Sequence, residues 1–227
     1  MRISRKLSNS ILSGLLVFGF GHRCSADSIL FTNLATVGNL YDSNHGWNVI
    51  GAASPFTSPP STQFAPAFAF TPTSTAYLTG LDLALGHVAG TNAVTVDLMS
   101  DASGPGAVLE SWNVSGVPTN GICCPMTALS GNGTLLLESG TTYWVAVLPG
   151  DSVAFDSWAY NSTGDTGTVF ENMGSAWALY ATGPGVTVGA FEVQGSPVPE
   201  PGTLSLLGSG LLGLAGLLRR RLRRLVI

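Results

Sequence analysis

The chain has 227 residues, 45% of them apolar, with nine basic against thirteen acidic side chains and a net charge of −4. All nine basic residues lie before position 24 or after position 218, so the stretch from Asp27 to Val198 holds twelve carboxylates and neither Lys nor Arg. Such a body excludes nucleic acid and other polyanions as partners, because phosphate contacts need cations, and it excludes a phosphate-cradling Gly-rich loop ending in Lys.

At the N-terminus, Arg2, Arg5 and Lys6 precede an apolar run from Ile11 to Phe20, and Cys24, Ser25 and Ala26 supply small residues before Asp27. A basic start, an apolar middle and a small-residue end are the parts of a secretory signal peptide over 1–26, cut between Ala26 and Asp27 and passed through the secretion translocon. Acylation of Cys24 as a lipoprotein is disfavoured, because Arg23 stands where a small residue is expected.

The next 170 or so residues suffice for one core. They are rich in Gly, Ser, Thr, Ala and Val, lack long stretches of 3.6 period, and carry turn signals about every ten residues. An all-β sandwich ectodomain over 27–195 is predicted. Its strands are expected at 29–33, 63–70, 77–85, 93–100, 108–114, 134–137, 142–148, 153–158, 167–171, 178–180 and 189–193. In the second of these, Phe64, Phe68 and Phe70 alternate with Ala65, Ala67 and Ala69, and Pro66 predicts an edge or a bulge. Tyr143 to Leu148 is apolar on both faces, as in a central strand. Asp101 to Gly106 is a turn that makes a hairpin of its neighbours. Gly195, Ser196 and Pro197 read as a linker.

Chemistry in the body is sparse. Asp42 and Asn44 alternate like the front of a Ca²⁺ loop without its bidentate Glu, so an Asx-turn is the plainer expectation; Asp151 and Asp156 form an equally weak Ca²⁺ candidate. His45 and His87 lack metal-ligand partners at helical or loop spacing, so no zinc site is expected and no cofactor beyond possible Ca²⁺. No nucleophile motif occurs, and Glu110 with Asp156 or Glu171 is the one carboxylate pairing open to glycosidic chemistry. The expectation is no enzyme. Trp112 and Trp144 are expected in the core, while Trp47, Trp158 and Trp177, beside Gly, Ser and Asn, are expected near loops as carbohydrate contacts. Cys123 and Cys124 are adjacent, with Cα atoms ~3.8 Å apart across a trans peptide against a usual disulfide minimum of ~4.4 Å. Three states stay open: a vicinal disulfide, first in order, then free thiols or bonds to a second molecule.

The C-terminal 196–227 differs in kind. Val198-Pro199-Glu200-Pro201 is held extended by its two prolines. An apolar run over 202–218 follows, 17 residues and at the lower edge of a transmembrane helix. Arg219, Arg220, Arg221, Arg223 and Arg224 then form a stop-transfer cluster that favours a cytoplasmic C-terminus. Ser205, Ser209 and Gly213 lie four apart, a small-residue stripe that lets another helix approach.

In order, spacing and charge this tail resembles the PEP-CTERM sorting domain of Gram-negative bacteria. The resemblance implies recognition at the tetrapeptide by an exosortase-like membrane enzyme, cleavage beside it, and transient anchoring in the inner membrane. In the body, Val96 to Trp112 and the motif Leu137, Gly140, Thr141, Tyr143, Trp144 resemble the choice-of-anchor R type of bacterial extracellular domain. That resemblance implies a jelly-roll-like sandwich on the cell surface, and no activity. The resulting expectation is an exported, non-catalytic surface or extracellular-matrix protein. The alternative is a secreted lectin-like module that binds exopolysaccharide through loop aromatics.

Overall fold

A computed structural model of the protein describes residues 27–57, 59, 61–198 and 208–213. The signal-peptide span 1–26, Pro199, Glu200, Pro201 and the five stop-transfer arginines lie outside the described residues, as does most of the predicted membrane span 202–218. Of that span, 208–213 is described and is helical. No helix among the described residues is long and apolar enough to cross a membrane.

The body is all-β and sandwich-like. Its strands are β1 (Ser28–Thr32), β2 (Tyr41–Ile50), β3 (Pro66–Phe70), β4 (Ala76–Leu83), β5 (Leu85–Ala89), β6 (Ala93–Asp101), β7 (Pro105–Ser115), β8 (Thr127–Ser130), β9 (Leu136–Leu137), β10 (Tyr143–Pro149), β11 (Phe155–Asn161), β12 (Thr166–Asn172), β13 (Trp177–Thr187) and β14 (Phe191–Pro197). One sheet runs β1-β14-β4-β8, with β9 also on β4. A six-stranded sheet runs β13-β12-β3-β10-β6-β7, and a three-stranded sheet runs β2-β11-β5. Every ladder between these strands is antiparallel.

Period-2 alternation decides which side chains fill the middle. Leu78, Leu81, Leu83, Phe191 and Val193 come from the first sheet and meet Phe68, Phe70, Val96, Leu98, Val145 and Val147 of the six-stranded one, all in one buried cluster. Each fully buried side chain of this size contributes about 1.5–3 kcal/mol. The alternate residues of β3 and β10 form a second cluster on the outer face, where Ala67, Trp144 and Ala146 pack with Met99. Thus β10 is apolar on both faces because both are covered, as the sequence predicts.

Several expectations change. Pro66 marks neither a sheet edge nor a bulge: β3 lies between β12 and β10, and Pro66 is its first residue, a position where a missing donor is tolerated. The loop expected around Asp42 to Gly46 lies within β2. There, Gly46 pairs with Ala159 and Asp42 with Tyr160, so Ser43 to His45 bulge out of a continuing strand. β8, absent from the predicted strands, pairs with β4. The supposed linker Gly195 to Pro197 is the end of β14, with Gly195 opposite Leu78 and Pro197 opposite Ala76. Gly195 is there for close approach: a Cβ on it would lie 2.6 Å from Leu30 Cδ1.

Candidate functional site

The sandwich therefore runs without slack to Pro197, and Val198, part-exposed, is the last described residue before Pro199. The tetrapeptide that opens at Val198 thus follows a paired strand directly in the chain.

The motif read as Leu-x-x-Gly-Thr-x-Tyr-Trp is a structural device. Leu137 is fully buried, and Gly140 takes φ +78°, a left-handed conformation that suits glycine. The Glu138 N–H donates to Tyr143 Oη at 3.0 Å, closing the turn between β9 and β10. Trp144 Nε1–H donates to Asp101 Oδ1 at 2.8 Å, which ties β10 to the β6–β7 turn. That hydrogen bond holds the Asp101 carboxyl below its ordinary range, with the Gly104 and Ser103 backbone N–H groups acting in the same direction.

The three candidate carbohydrate aromatics are not brought together as a platform. Trp158 is fully buried: its ring stacks edge-on against Phe68 at 4.7 Å and its Nε1–H donates to Ala190 O at 3.0 Å. Ser157 beside it belongs to a paired strand, β11, rather than a loop, so Trp158 is removed as a contact. Trp47 is half-buried on β2, with its Nε1–H donating to Thr187 O and its ring perpendicular to Tyr180 at 5.9 Å. Trp177 packs part-buried against the cluster of Trp144 and Met99. Trp144 is in the core as expected, whereas Trp112 is only part-buried and donates to Ser130 O from edge strand β7.

Cys123 and Cys124 are bonded to each other. Their loop is clamped by Tyr41, whose hydroxyl donates to the carbonyls of Ile122 and Pro125 at 3.1 and 3.0 Å. The Ca²⁺ candidates are used locally. Asp42 Oδ1 accepts the Asn44 N–H, and Asp151 Oδ1 accepts the N–H groups of Val153 and Ala154, which are Asx-turn bonds. Among the described residues, no three His, Cys, Asp or Glu side chains converge as a metal would require. Glu110 and Glu171 stand on β7 and β12, four strand spacings or about 19 Å apart, beyond the reach of a carboxylate pair acting on one glycosidic bond.

Asp156 belongs to a pair that sequence reading did not find. It has no exposed surface and lies 3.0 Å from His87 Nδ1, on the neighbouring strand. Burial pushes its carboxyl up to about 6, against the opposing pull of the His87 hydrogen bond. Burial likewise raises Glu171, with no partner for its Oε2, and Asp82, which Glu192 raises further.

A cleft of about 540 Å³ opens at one end of the six-stranded sheet, between the end of β3 and the start of β12. Val169, Phe170 and Glu171 pair with β3, whereas Ala69 and Phe70 have no partner on β12, nor Thr166 to Thr168 on β3. Both strands continue past the point where their ladder stops. The register of β12 on β13 shifts at the same place, between Thr166 and Thr168. Sequence reading missed this cleft; the only local sign was the small polar run Asp165-Thr166-Gly167-Thr168.

Compared with known proteins, the chain carries a PEP-CTERM protein-sorting motif at residues 197–223, which begins on the last paired residue of β14. The motif is the substrate signal of exosortase-like processing and implies an exported protein with a membrane-anchored C-terminus before processing. No curated protein matches the chain.

Proposed function

We propose that this chain is a non-catalytic cell-surface or extracellular-matrix protein whose β body is delivered by its tail. The reading rests above all on one observation: the sorting motif at 197–223 starts where β14 ends, so the processing signal follows the folded domain directly in the chain. In this reading residues 1–26 direct export through the translocon. The span 202–218 and arginines 219–224 hold the C-terminus in the inner membrane, and cleavage beside Val198-Pro199-Glu200-Pro201 releases the body. Two further facts support a display role. The body carries no Lys or Arg, which suits neither polyanion binding nor phosphate chemistry, and Glu110 and Glu171 stand too far apart to act on one glycosidic bond. The turn built by Leu137, Gly140, Tyr143 and Trp144 supports kinship with choice-of-anchor R domains and a jelly-roll-like connectivity.

The test is expression of the full chain in a host that contains an exosortase, with the intact mass of the extracellular product. The expected product ends between Val198 and Pro201, and replacing Glu200 and Pro201 by Ala leaves the protein bound to the membrane. A product that retains Arg224, or release unchanged by the double replacement, overturns the reading.

A further inference from the structure

We propose that the cleft between β3 and β12 is a binding site for a short neutral oligosaccharide. This holds whether or not the tail is processed, because the cleft belongs to the body alone.

Its position is unusual for a defect. A frayed ladder is ordinary at a sheet edge, but here β3 stays paired to β10 and β12 stays paired to β13 on either side of the gap. The opening exposes main-chain groups of two interior strands toward one another, and such groups call for hydrogen-bonding partners. Its volume of about 540 Å³ falls within the roughly 300–1,000 Å³ usual for small-ligand clefts.

The lining selects the ligand. Phe31, Phe70 and Val188 give an apolar floor continuous with the main core. Thr71, Thr142, Thr166 and Thr168 also line it, the Thr168 hydroxyl lying 2.9 Å from that of Thr182, and Asp101 and Asp165 stand among the lining residues as carboxylate acceptors. Asp101 Oδ1 accepts from Trp144 Nε1–H and the Gly104 N–H, which fixes the side chain beside the cleft. Gly104 sits at φ +144° with a Cβ position 2.6 Å from Phe170, so glycine keeps this turn against the ring. A sugar has the matching anatomy: a C–H face for the floor, hydroxyls that both donate and accept for the threonines, and donors for the carboxylates. An anionic ligand is disfavoured, since two carboxylates line the cleft and the body has no Lys or Arg to offset them.

The experiment is isothermal titration of the full chain in a zwitterionic detergent free of sugar headgroups. The probes are uncharged gluco-, manno- and galacto-tetrasaccharides, with an uncharged extended tetrapeptide as comparator. We expect at least one tetrasaccharide to bind, and Asp165→Ala and Thr166→Trp each to weaken it by about tenfold or more with an unchanged melting temperature. Tyr180→Ala, in the separate aromatic group around Trp47, should leave binding intact. Asp165→Ala alters only an exposed side chain, so the test stands even if Thr166→Trp fails to fold. Three results each overturn the proposal: no tetrasaccharide binds, binding is untouched by Asp165→Ala, or the tetrapeptide alone binds, which would make the gap a strand-accepting slot.

Discussion

The body contains the same chemical pair twice. His45 and Asp42 lie 2.8 Å apart with side chains 70% and 36% exposed; His87 and Asp156 lie 3.0 Å apart at 23% and 0%. Asp42 is held below its ordinary 3.8, chiefly by the Asn44 N–H and then by His45. Asp156 is pushed up to about 6 because burial outweighs the help of its histidine. Equal geometry gives opposite signs, so solvation decides what a carboxylate contributes here. The lesson extends across a domain with no Lys or Arg, in which histidine supplies the only ion-pair partners among the described residues.

The largest effect that separates the two pairs is expected from His87→Ala. Removing the partner of a buried carboxylate should cost about 3 kcal/mol at pH 8, read as a drop in Tm, with a smaller loss at pH 5 where Asp156 takes up a proton. An equal loss at both pH values would mean that His87 serves only as packing.

The wild-type pH profile comes next. Asp156 has its folded pKa raised, so its contribution is fully present below about 3.8 and is lost as pH rises through about 6. Asp82 and Glu171, also raised, act in the same direction. Stability should therefore fall by about 2–3 kcal/mol between pH 4 and pH 7, which thermal unfolding monitored by circular dichroism would detect. Asp42, Asp101 and Asp151 are lowered, so their contributions are present above 3.8 and fade only in stronger acid. A Tm that climbs steadily from pH 4 to 7 would contradict this account.

Asp156→Asn isolates the titration of the buried pair. It keeps an acceptor for His87 and removes the titration, so the difference in stability between pH 5 and pH 8 should shrink by about 1.4 kcal/mol. The smallest effect is expected at the exposed pair: His45→Ala should change stability by less than about 0.5 kcal/mol and should fade further in 0.5 M salt. A larger loss would mean that the bulge at Ser43 to His45 depends on that ring.

Much of the fold was legible because strands announce themselves locally. The alternation of Phe68 and Phe70 with Ala67 and Ala69, and the doubly apolar Tyr143 to Leu148, survive intact as β3 and β10. Errors arose where one local signal serves two structures. Asp42 to Gly46 has the composition of a turn and makes a bulge. Gly195 to Pro197 has that of a linker, yet its glycine is demanded by Leu30. Trp158 sits beside Ser157 on a strand whose two faces are both covered, and sequence neighbours do not show that.

Linear and compositional facts were readable from the residues alone: a sorting tail read from order, spacing and charge, an all-β body, and a domain without fixed cations. These need no long-range pairing, since a protease reads an extended segment and alternation follows from the pleat. Which carboxylates are buried, and where the six-stranded sheet opens, emerged with the packed fold. Both depend on register between strands far apart in the chain: His87 on β5 faces Asp156 on β11, and Phe70 on β3 parts from Gly167 on β12. Burial and cavity are properties of those meetings, and no stretch of the chain carries them alone.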